Sequence, residues 1–269
     1  MRVAVTSNGN AFSSLMLRPL FEASDIEVGG AVLVRVPPGE GGRAATLWRL
    51  SRRTGVRYAA HKLATLAGPS AYGLLTRRPV FLDQLCRRHG VPSVSVDSAN
   101  GPRGVEFLRG LEPDVLLSVS TPERLGSEVL GIPRVAALNI HWALLPRFAG
   151  IAPYFWVLRN GEEATGVTVH VMAPELDVGP VLRQTDVEIR PDDTSLSLQL
   201  RLVEAGGREI LAAIRSLPGS LDDARPQDLS TRSYFSWPSA EDVHTLTASG
   251  RRLARTSDHR RLLRMLRSG

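Results

Sequence analysis

Residues 2–21 read RVAVTSNGNAFSSLMLRPLF, and this stretch sets the start of the fold. Apolar and polar residues alternate from Arg2 to Thr6, which is typical of a strand. The polar residues Ser7–Asn10 follow directly, and Phe12 to Phe21 then carry apolar residues at helical spacing. The sequence therefore predicts a strand, a tight turn and a helix, the opening unit of a sheet with crossover helices.

The same alternation continues along the chain. Helices are predicted at Val80–His89, Gly104–Leu111 and Pro153–Leu158, and further strands at Val28–Val36, Val91–Val96, Val115–Val119, Val135–Ile140 and Thr165–Met172. Apolar strands that alternate with helices favour a parallel sheet covered on both faces. We therefore expect an α/β fold with an open, doubly wound, mostly parallel sheet.

The carboxyl-terminal third predicts a long helix and then an extension. Asp192, Asp193 or Thr194 is a suitable cap for a helix whose apolar positions continue to Ile214, although the pair Gly206-Gly207 argues against an unbroken helix. The composition becomes polar after Pro218. We expect a catalytic domain at 1–220 and a small extension at 221–269 that ends in an Arg-rich helical tail.

Charge and cysteine content narrow the class of protein. The net charge is +6, and residues 251–269 account for all of it, with seven Arg and the single acid Asp258. The lone cysteine, Cys86, provides neither an internal disulfide nor a thiol cluster for a metal. No apolar run has the length of a membrane span, so we expect a soluble, cytoplasmic protein.

Candidate catalytic residues lie in one block, 139–184, which reads NIHWALLPRFAGIAPYFWVLRNGEEATGVTVHVMAPELDVGPVLRQ. Asn139 and His141 lie two residues apart at the end of a predicted strand, so they point to the same side. An amide can stabilise an oxyanion, an imidazole can carry a proton, and the Asp177 carboxylate can favour the charged imidazole and fix its orientation. Taken singly, however, each residue type is as common in structural roles.

The block resembles the catalytic core of the folate-dependent formyltransferases, which include methionyl-tRNA, glycinamide ribonucleotide and sugar N-formyltransferases. The resemblance is carried by an N-x-H, L-L-P, G-x-x-P-x-x-W, G-V-T-x-H and D-x-G series at Asn139, His141, Leu144, Leu145, Pro146, Gly150, Pro153, Trp156, Gly166, Val167, Thr168, His170, Asp177 and Gly179. It implies that Asn139, His141 and Asp177 are catalytic, that 10-formyltetrahydrofolate is the co-substrate and that no metal is needed. It also implies supporting roles for His170 and Thr168.

Binding residues are implied less directly. Asp114 and the strand end after it fall where the family's folate ring contacts main-chain groups, which implies Ser118, Ser120, Thr121, Leu138 and Ile140 as folate contacts. Asn10 and Ser13 lie in a turn that resembles a phosphate-binding turn of the family, although a plain strand–helix turn explains them equally well. The family usually has Pro-Ser at Trp142-Ala143 and Arg-Gly at Ala149-Gly150, so Trp142 either contacts substrate or fills the core.

The formyl acceptor stays open at this point. Acceptor contacts in the family come from variable loops, here expected at Pro37–Gly42 and Tyr58–Arg78. We expect transfer to a small-molecule amine, such as an amino sugar, an amino acid or a natural-product intermediate. Transfer to tRNA, hydrolysis of the formyl donor, and folate binding without turnover are the alternatives.

The deformylases usually carry an additional amino-terminal domain, whereas this sequence starts at the first predicted strand, which favours transfer. A homodimer is also left open.

Overall fold

A central sheet of seven strands organises the chain in the computed structural model, which describes residues 1–35 and 42–268. Two further short strands, β6 and β9, pair with each other outside it. The strands are β1 Arg2–Ser7, β2 Glu27–Val34, β3 Ser93–Val96, β4 Val115–Val119, β5 Ala136–His141, β6 Ala149–Gly150, β7 Ala164–Val171, β8 Val181–Glu188 and β9 Tyr234–Phe235. The helices are α1 Ala11–Glu22, α2 Gly42–Thr76, α3 Leu82–Arg88, α4 Pro102–Gly110, α5 Ser127–Leu130, α6 Pro153–Arg159, α7 Ser195–Ser216, α8 Ala240–Ala248 and α9 Thr256–Arg267.

The sheet has the order β3-β2-β1-β4-β5-β7-β8, and its first five strands are parallel. Strand β7 pairs with β5 in antiparallel orientation, and β8 pairs with β7 in antiparallel orientation at the edge of the sheet. The predicted doubly wound, mostly parallel sheet is thus confirmed. Strand β8 is an additional element, because its half-buried residues at 181–188 lack the continuous apolar run that marks the other strands.

The long helix α7 packs on α1 across one face of the sheet. Thr194 caps it by accepting a hydrogen bond from the Ser197 amide, and the helix runs unbroken to Ser216. Gly206 and Gly207 do not interrupt it, since they lie where α1 approaches most closely. A Cβ atom on Gly207 would lie 2.8 Å from the Met16 carbonyl oxygen. The glycine pair therefore allows the two helices to pack closely. Helix propensity alone does not predict this role.

The region Tyr58–Arg78 corrects an expectation, because it is helical to Thr76 rather than a loop. Helix α2 changes direction at Gly55, whose φ is +79°. Tyr58 on its inner side is fully buried, and α8 and α9 pack against the helix. Tertiary packing, not a strong apolar period, stabilises this element, which is why the sequence pattern did not reveal it. The other expected acceptor loop, Pro37–Gly42, lies at 37–41 outside the described residues.

The carboxyl-terminal extension contributes to the same apolar core as the sheet. Val243, Leu246, Leu262 and Leu266 are buried in that core. Helix α9 turns Arg260 and Arg264 outward to solvent. None of the helices in the described ranges is long and apolar enough to cross a lipid bilayer.

Candidate active site

Strand β5 places Asn139 and His141 at the carboxyl end of the parallel strands. In the register of the sheet, Asn139 is opposite His170 and His141 is opposite Thr168, both on β7. Cross-strand neighbours in an antiparallel pair lie within side-chain contact. The strand pairing thus brings together four residues that the sequence had marked, and His141 and His170 are both buried.

Asp177 enters the site from the loop after β7. Its backbone has φ +58°, a conformation that costs energy for a residue other than glycine. One carboxylate oxygen, Oδ1, lies 3.7 Å from His141 Nδ1 and 3.8 Å from His170 Nε2. The other oxygen, Oδ2, accepts a hydrogen bond of 3.0 Å from the Gly150 amide. The three residues expected to be catalytic therefore converge, with the carboxylate between the two imidazoles.

A main-chain carbonyl, not Asp177, fixes the orientation of the His141 ring. His141 Nε2 lies 2.8 Å from the Phe148 carbonyl oxygen, which can only accept, so Nε2 carries the proton of the neutral ring. Nδ1 then holds the lone pair and faces Asp177 at 3.7 Å, too far for a direct hydrogen bond. We expected Asp177 both to orient this ring and to favour its charged form; only the second role fits these distances.

His170 is held in its neutral form. Burial lowers its pKa to about 4, although the Asp177 charge acts in the opposite direction; His141 lowers it further. Its Nδ1 lies 3.0 Å from the Val171 carbonyl oxygen and its Nε2 lies 3.1 Å from Asn139 Nδ2. The Nδ1 atom therefore donates and the Nε2 atom accepts from the amide. His170 in this way orients Asn139, whose second amide N–H forms no hydrogen bond within the described part of the chain.

Thr168 supports the loop that follows His141. Its hydroxyl donates to the Ala143 carbonyl at 2.7 Å and accepts from the Leu145 amide at 3.1 Å. The Gln184 amide donates to the same hydroxyl at 2.9 Å. This fully buried side chain fixes the main chain at 143–145.

The sequence did not reveal that residues 233–236, hereafter the bracing segment, hold the loop 146–152. The Ser233 hydroxyl accepts from the Phe148 amide at 2.8 Å, and the Ser233 and Phe235 carbonyls accept from Ala149 and Ile151 at 2.9 and 2.8 Å. The Phe235 ring stacks between Phe148 and Trp156. The loop that contacts both His141 and Asp177 is therefore fixed by residues far along the chain.

Gly150 is the point of closest approach between this loop and the bracing segment. Its φ is +95°, and a Cβ atom there would lie 2.2 Å from the Phe235 carbonyl oxygen. Any larger residue would displace the amide that binds Asp177.

Gln227 holds the loop that contains Asp177. Its side-chain amide donates to the Asp177 and Gly179 carbonyls at 3.1 and 2.7 Å. The fragment Ala224-Arg225-Pro226-Gln227 stood out in the sequence as a family-like junction, but its contact with the Asp177 loop could not be read from spacing.

The residues expected to contact folate occupy two kinds of environment. Ser118, Ser120 and Thr121 lie at the carboxyl end of β4, where hydroxyls of Ser118, Thr121 and Thr6 form a chain of 3.0 Å hydrogen bonds. The Leu138 and Ile140 side chains are buried in the core. Only main-chain atoms of these two residues remain for a ligand, so their contact with folate stays a prediction.

Asp114 corrects an expectation, because it precedes β4 and thus lies at the opposite end of the strand from Asn139. It accepts from the Arg2 amide at 2.8 Å and pairs with Arg134 at 3.2 Å. Four residues of strand at about 3.3 Å each separate it from the level of Ser118. Its role is to join strand ends, and we no longer count it among the ligand contacts.

The residues expected to bind the acceptor are engaged in local contacts. Asn10 caps α1 by accepting from the Ser13 amide at 2.9 Å, and the Ser13 hydroxyl lies 3.3 Å from Asn8 Oδ1. Trp142 is buried, and its ring centroid lies 6.1 Å from that of Tyr154. The packing role considered for Trp142 thus describes its position, and substrate contact by all three residues stays a prediction.

The chemistry of the site is that of a proton carrier beside a hydrogen-bond donor. His141 Nδ1 has an available lone pair, Asp177 stabilises the charge that a proton would bring there, and Asn139 offers an N–H on the same side of β5. Among the described residues there is no group of three or more His, Cys, Asp or Glu side chains placed to hold a metal ion.

Comparison with known proteins finds similarity to one family over part of the chain. The sequence profile of the formyl transferase family matches residues 90–214. A methionyl-tRNA formyltransferase of Thermotoga maritima is 35% identical over 165 residues, which is 61% of this chain and 53% of that protein. The Thermotoga neapolitana enzyme of the same name is 34% identical over an equal length. The match thus spans about half the length of these curated relatives.

Solved structures share the fold at lower identity. The phosphoribosylglycinamide formyltransferase of Anaplasma phagocytophilum superposes with a TM-score of 0.58 at 18% identity and covers 88% of this chain and 98% of its own. An N-formyltransferase of Helicobacter canadensis, solved with folinic acid and dTDP-3-aminofucose, gives 0.54 at 14% identity and covers 87% and 70%.

Proposed function

We propose that the protein moves a formyl group from 10-formyltetrahydrofolate to the amine of a small molecule, because residues 90–214 match the profile of the formyl transferase family. The observation that carries the proposal is the convergence of Asn139, His141 and Asp177. The small-molecule acceptor is supported by the likeness of the fold to that of the Helicobacter canadensis enzyme, whose structure contains an amino sugar nucleotide.

Asn139, His141 and Asp177 each have a separate role in acyl transfer. The Asn139 amide donates to the formyl oxygen, which gains negative charge as an amine attacks the carbon; one such donor typically contributes about 100- to 1000-fold in rate. His141 Nδ1 takes the proton that the amine loses and returns it to the departing nitrogen. Asp177 stabilises the protonated ring from 3.7 Å. The formyl donor supplies the one-carbon group, and the open N–H of Asn139 suits its oxygen.

A tRNA acceptor is the second candidate, and the 35% identity to a methionyl-tRNA formyltransferase favours it. Such an acceptor would use the exposed arginines of α9. Donor hydrolysis and donor binding without turnover are further outcomes that the same assay distinguishes.

The test is release of tetrahydrofolate from 10-formyltetrahydrofolate, followed by absorbance. Parallel reactions contain water alone, pooled amino sugars, pooled amino acids or aminoacylated tRNA. We expect release that depends on a small amine, with the formylated product identified by mass spectrometry. Release that is equal without amine would show a hydrolase, release with tRNA alone would select the second candidate, and binding without release would leave a folate-binding protein.

A further inference from the structure

Lys62 is the single lysine in a chain with 33 basic residues, and it occupies an aromatic cage on the inner side of α2. Its ammonium nitrogen lies 5.4 Å from the ring centres of Tyr58 and Tyr154 and 5.7 Å from that of Trp237. It donates one hydrogen bond of 2.8 Å to the Tyr154 hydroxyl. Three different parts of the chain, α2, α6 and the residue after the bracing segment, thus meet around one ammonium.

The charge of Lys62 has no acidic partner among the described residues. The groups that face the ammonium are the Tyr58 and Tyr154 phenols, with His61 beside it on the same helix. An ammonium has three N–H donors, and removal of its charge from water is costly unless the charge is paired. Cation–π contacts with three rings compensate only part of that cost.

Polar groups around the cage are also left without ordinary partners. Neither ring nitrogen of the buried His61 has a hydrogen-bond partner within the described ranges. Buried polar atoms are nearly always paired, so unpaired ones beside an uncompensated cation indicate a place for a ligand. Lys62 as a residue is half-buried, so part of its side chain is exposed to solvent.

The cage adjoins the catalytic residues. Tyr154, which accepts from Lys62, packs on Trp142, and Trp142 directly follows His141. Tyr154 and Trp142 thus connect the Lys62 cage with the end of the strand that carries His141.

We propose that Lys62 and Tyr154 bind an anionic oxygen group, a phosphate or a carboxylate, of the formyl acceptor. This inference rests on the proposed function and narrows its substrate class to amines that also carry an acidic group. The ammonium supplies the charge and a remaining N–H donor, and the Tyr154 hydroxyl supplies another polar contact. The three rings surround a compact ammonium here, and a planar guanidinium has a different shape.

The first experiment uses the lone lysine as a probe in the unaltered protein. An amine-acylating reagent labels Lys62 and the chain's amino terminus, and mass spectrometry follows both rates with added phosphate, pyrophosphate, acetate or chloride at equal ionic strength. We expect phosphate, pyrophosphate or acetate to slow the labelling of Lys62 at least threefold relative to chloride, while the amino terminus is unaffected. Equal rates with all four anions would overturn the proposal.

The second experiment measures preference between matched acceptors that differ by one acidic group, such as glucosamine and its 6-phosphate, or an amino acid and its amide. In Lys62→Met we expect the ratio of kcat/KM for the acidic over the neutral acceptor to fall at least tenfold. Lys62→Arg should retain part of the preference, and Arg57→Met, which removes an exposed cation from the same helix, should retain all of it. An unchanged ratio in Lys62→Met would contradict the proposal.

The two experiments separate this inference from the proposed function. Protection of Lys62 by an anion without any formyl transfer would leave the anion site in place and remove the transferase. Formyl transfer with an unprotected Lys62 and an unchanged preference for acidic acceptors would support the transferase and exclude the anion site.

Discussion

At the residue scale, the site depends on which nitrogen of each imidazole carries a proton. The Phe148 carbonyl places the proton of His141 on Nε2, and the contacts of His170 make it accept from Asn139 through its own Nε2. The convergence of Asn139, His141 and Asp177 could be predicted from motif spacing, because side-chain type carries that information. Their proton positions could not, since they depend on a main-chain carbonyl and on burial.

Asp177→Asn tests the electrostatic role of the carboxylate. The amide keeps the shape of the side chain and an oxygen for the Gly150 amide, and Asn tolerates the left-handed backbone found at this position. Loss of the charge removes the stabilisation of protonated His141, so we expect kcat to fall at least 100-fold. Turnover and the melting temperature are measured together, with the exposed Asp223→Asn as control. Near-normal turnover would exclude Asp177 from the mechanism.

His170 makes stability depend on pH. Its pKa of about 4 lies below the ordinary value of 6.5, so the unfolded chain takes up its proton first as the pH falls. The folded state therefore keeps this contribution above pH 6.5 and loses it between pH 6.5 and 4, by up to about 3 kcal/mol. Urea unfolding at pH 7.5 and 4.5 should show a smaller loss of stability in His170→Gln than in the wild type or in the exposed control His244→Gln. Equal losses in all three would show that His170 is not buried as a neutral group.

At the element scale, the alternation of strands and helices was readable because buried parallel strands need continuous apolar runs. Helix α2 and strand β8 were not readable, since their stability comes from neighbouring elements rather than from a period of their own. The bracing segment was equally hidden. Residues 224–238 have no regular pattern, yet their backbone atoms pair with β6 and their Phe235 ring stacks on Phe148 and Trp156.

Ser233→Ala tests whether the bracing segment positions the catalytic loop. The change leaves the Phe148 amide without its acceptor, at a cost of about 1 to 3 kcal/mol, and loosens the carbonyl that orients His141. We expect kcat to fall roughly tenfold with little change in KM, a drop that corresponds to about 1.4 kcal/mol. Ser233→Thr, which keeps the hydroxyl, should retain most of the activity.

The matched control is Ser230→Ala, an exposed serine three residues earlier whose hydroxyl contacts only Asp228. A purely structural role for Ser233 would lower the melting temperature without affecting the kcat of the folded protein, and that result would contradict positioning.

At the scale of the whole molecule, the net charge of +6 belongs to a region that packs on the core. Several arginines of the tail bind the body of the protein, as Arg251 does through the Arg190 and Pro191 carbonyls and Arg261 through Glu204. The remaining exposed cations of α9 form a small surface rather than a free arm. The sequence located this charge in the tail, but it could not show that part of the charge is paired with the body of the protein.

Charge reversal on α9 distinguishes the two acceptor classes. For a small-molecule acceptor, the double variant Arg260→Glu, Arg264→Glu should keep its kcat/KM, because both side chains point to solvent away from the site. For a tRNA acceptor, KM should rise severalfold, and the dependence of binding on salt should weaken by about 0.7 to 0.9 for each phosphate that the variant no longer binds. Assays at two salt concentrations with both acceptors check this, and loss of activity toward a small amine would contradict the proposed acceptor.

The bracing segment also has a consequence for the order in which the site matures during synthesis. Ser233 lies 85 residues beyond Phe148, the residue whose amide it binds. A nascent chain that has emerged as far as β8 already contains Asn139, His141 and Asp177. The bracing segment that fixes the loop 146–152 has not yet been synthesised. We expect such a ribosome-bound intermediate to be chemically silent, so that a stalled or clipped product would not consume the cell's formyl donor.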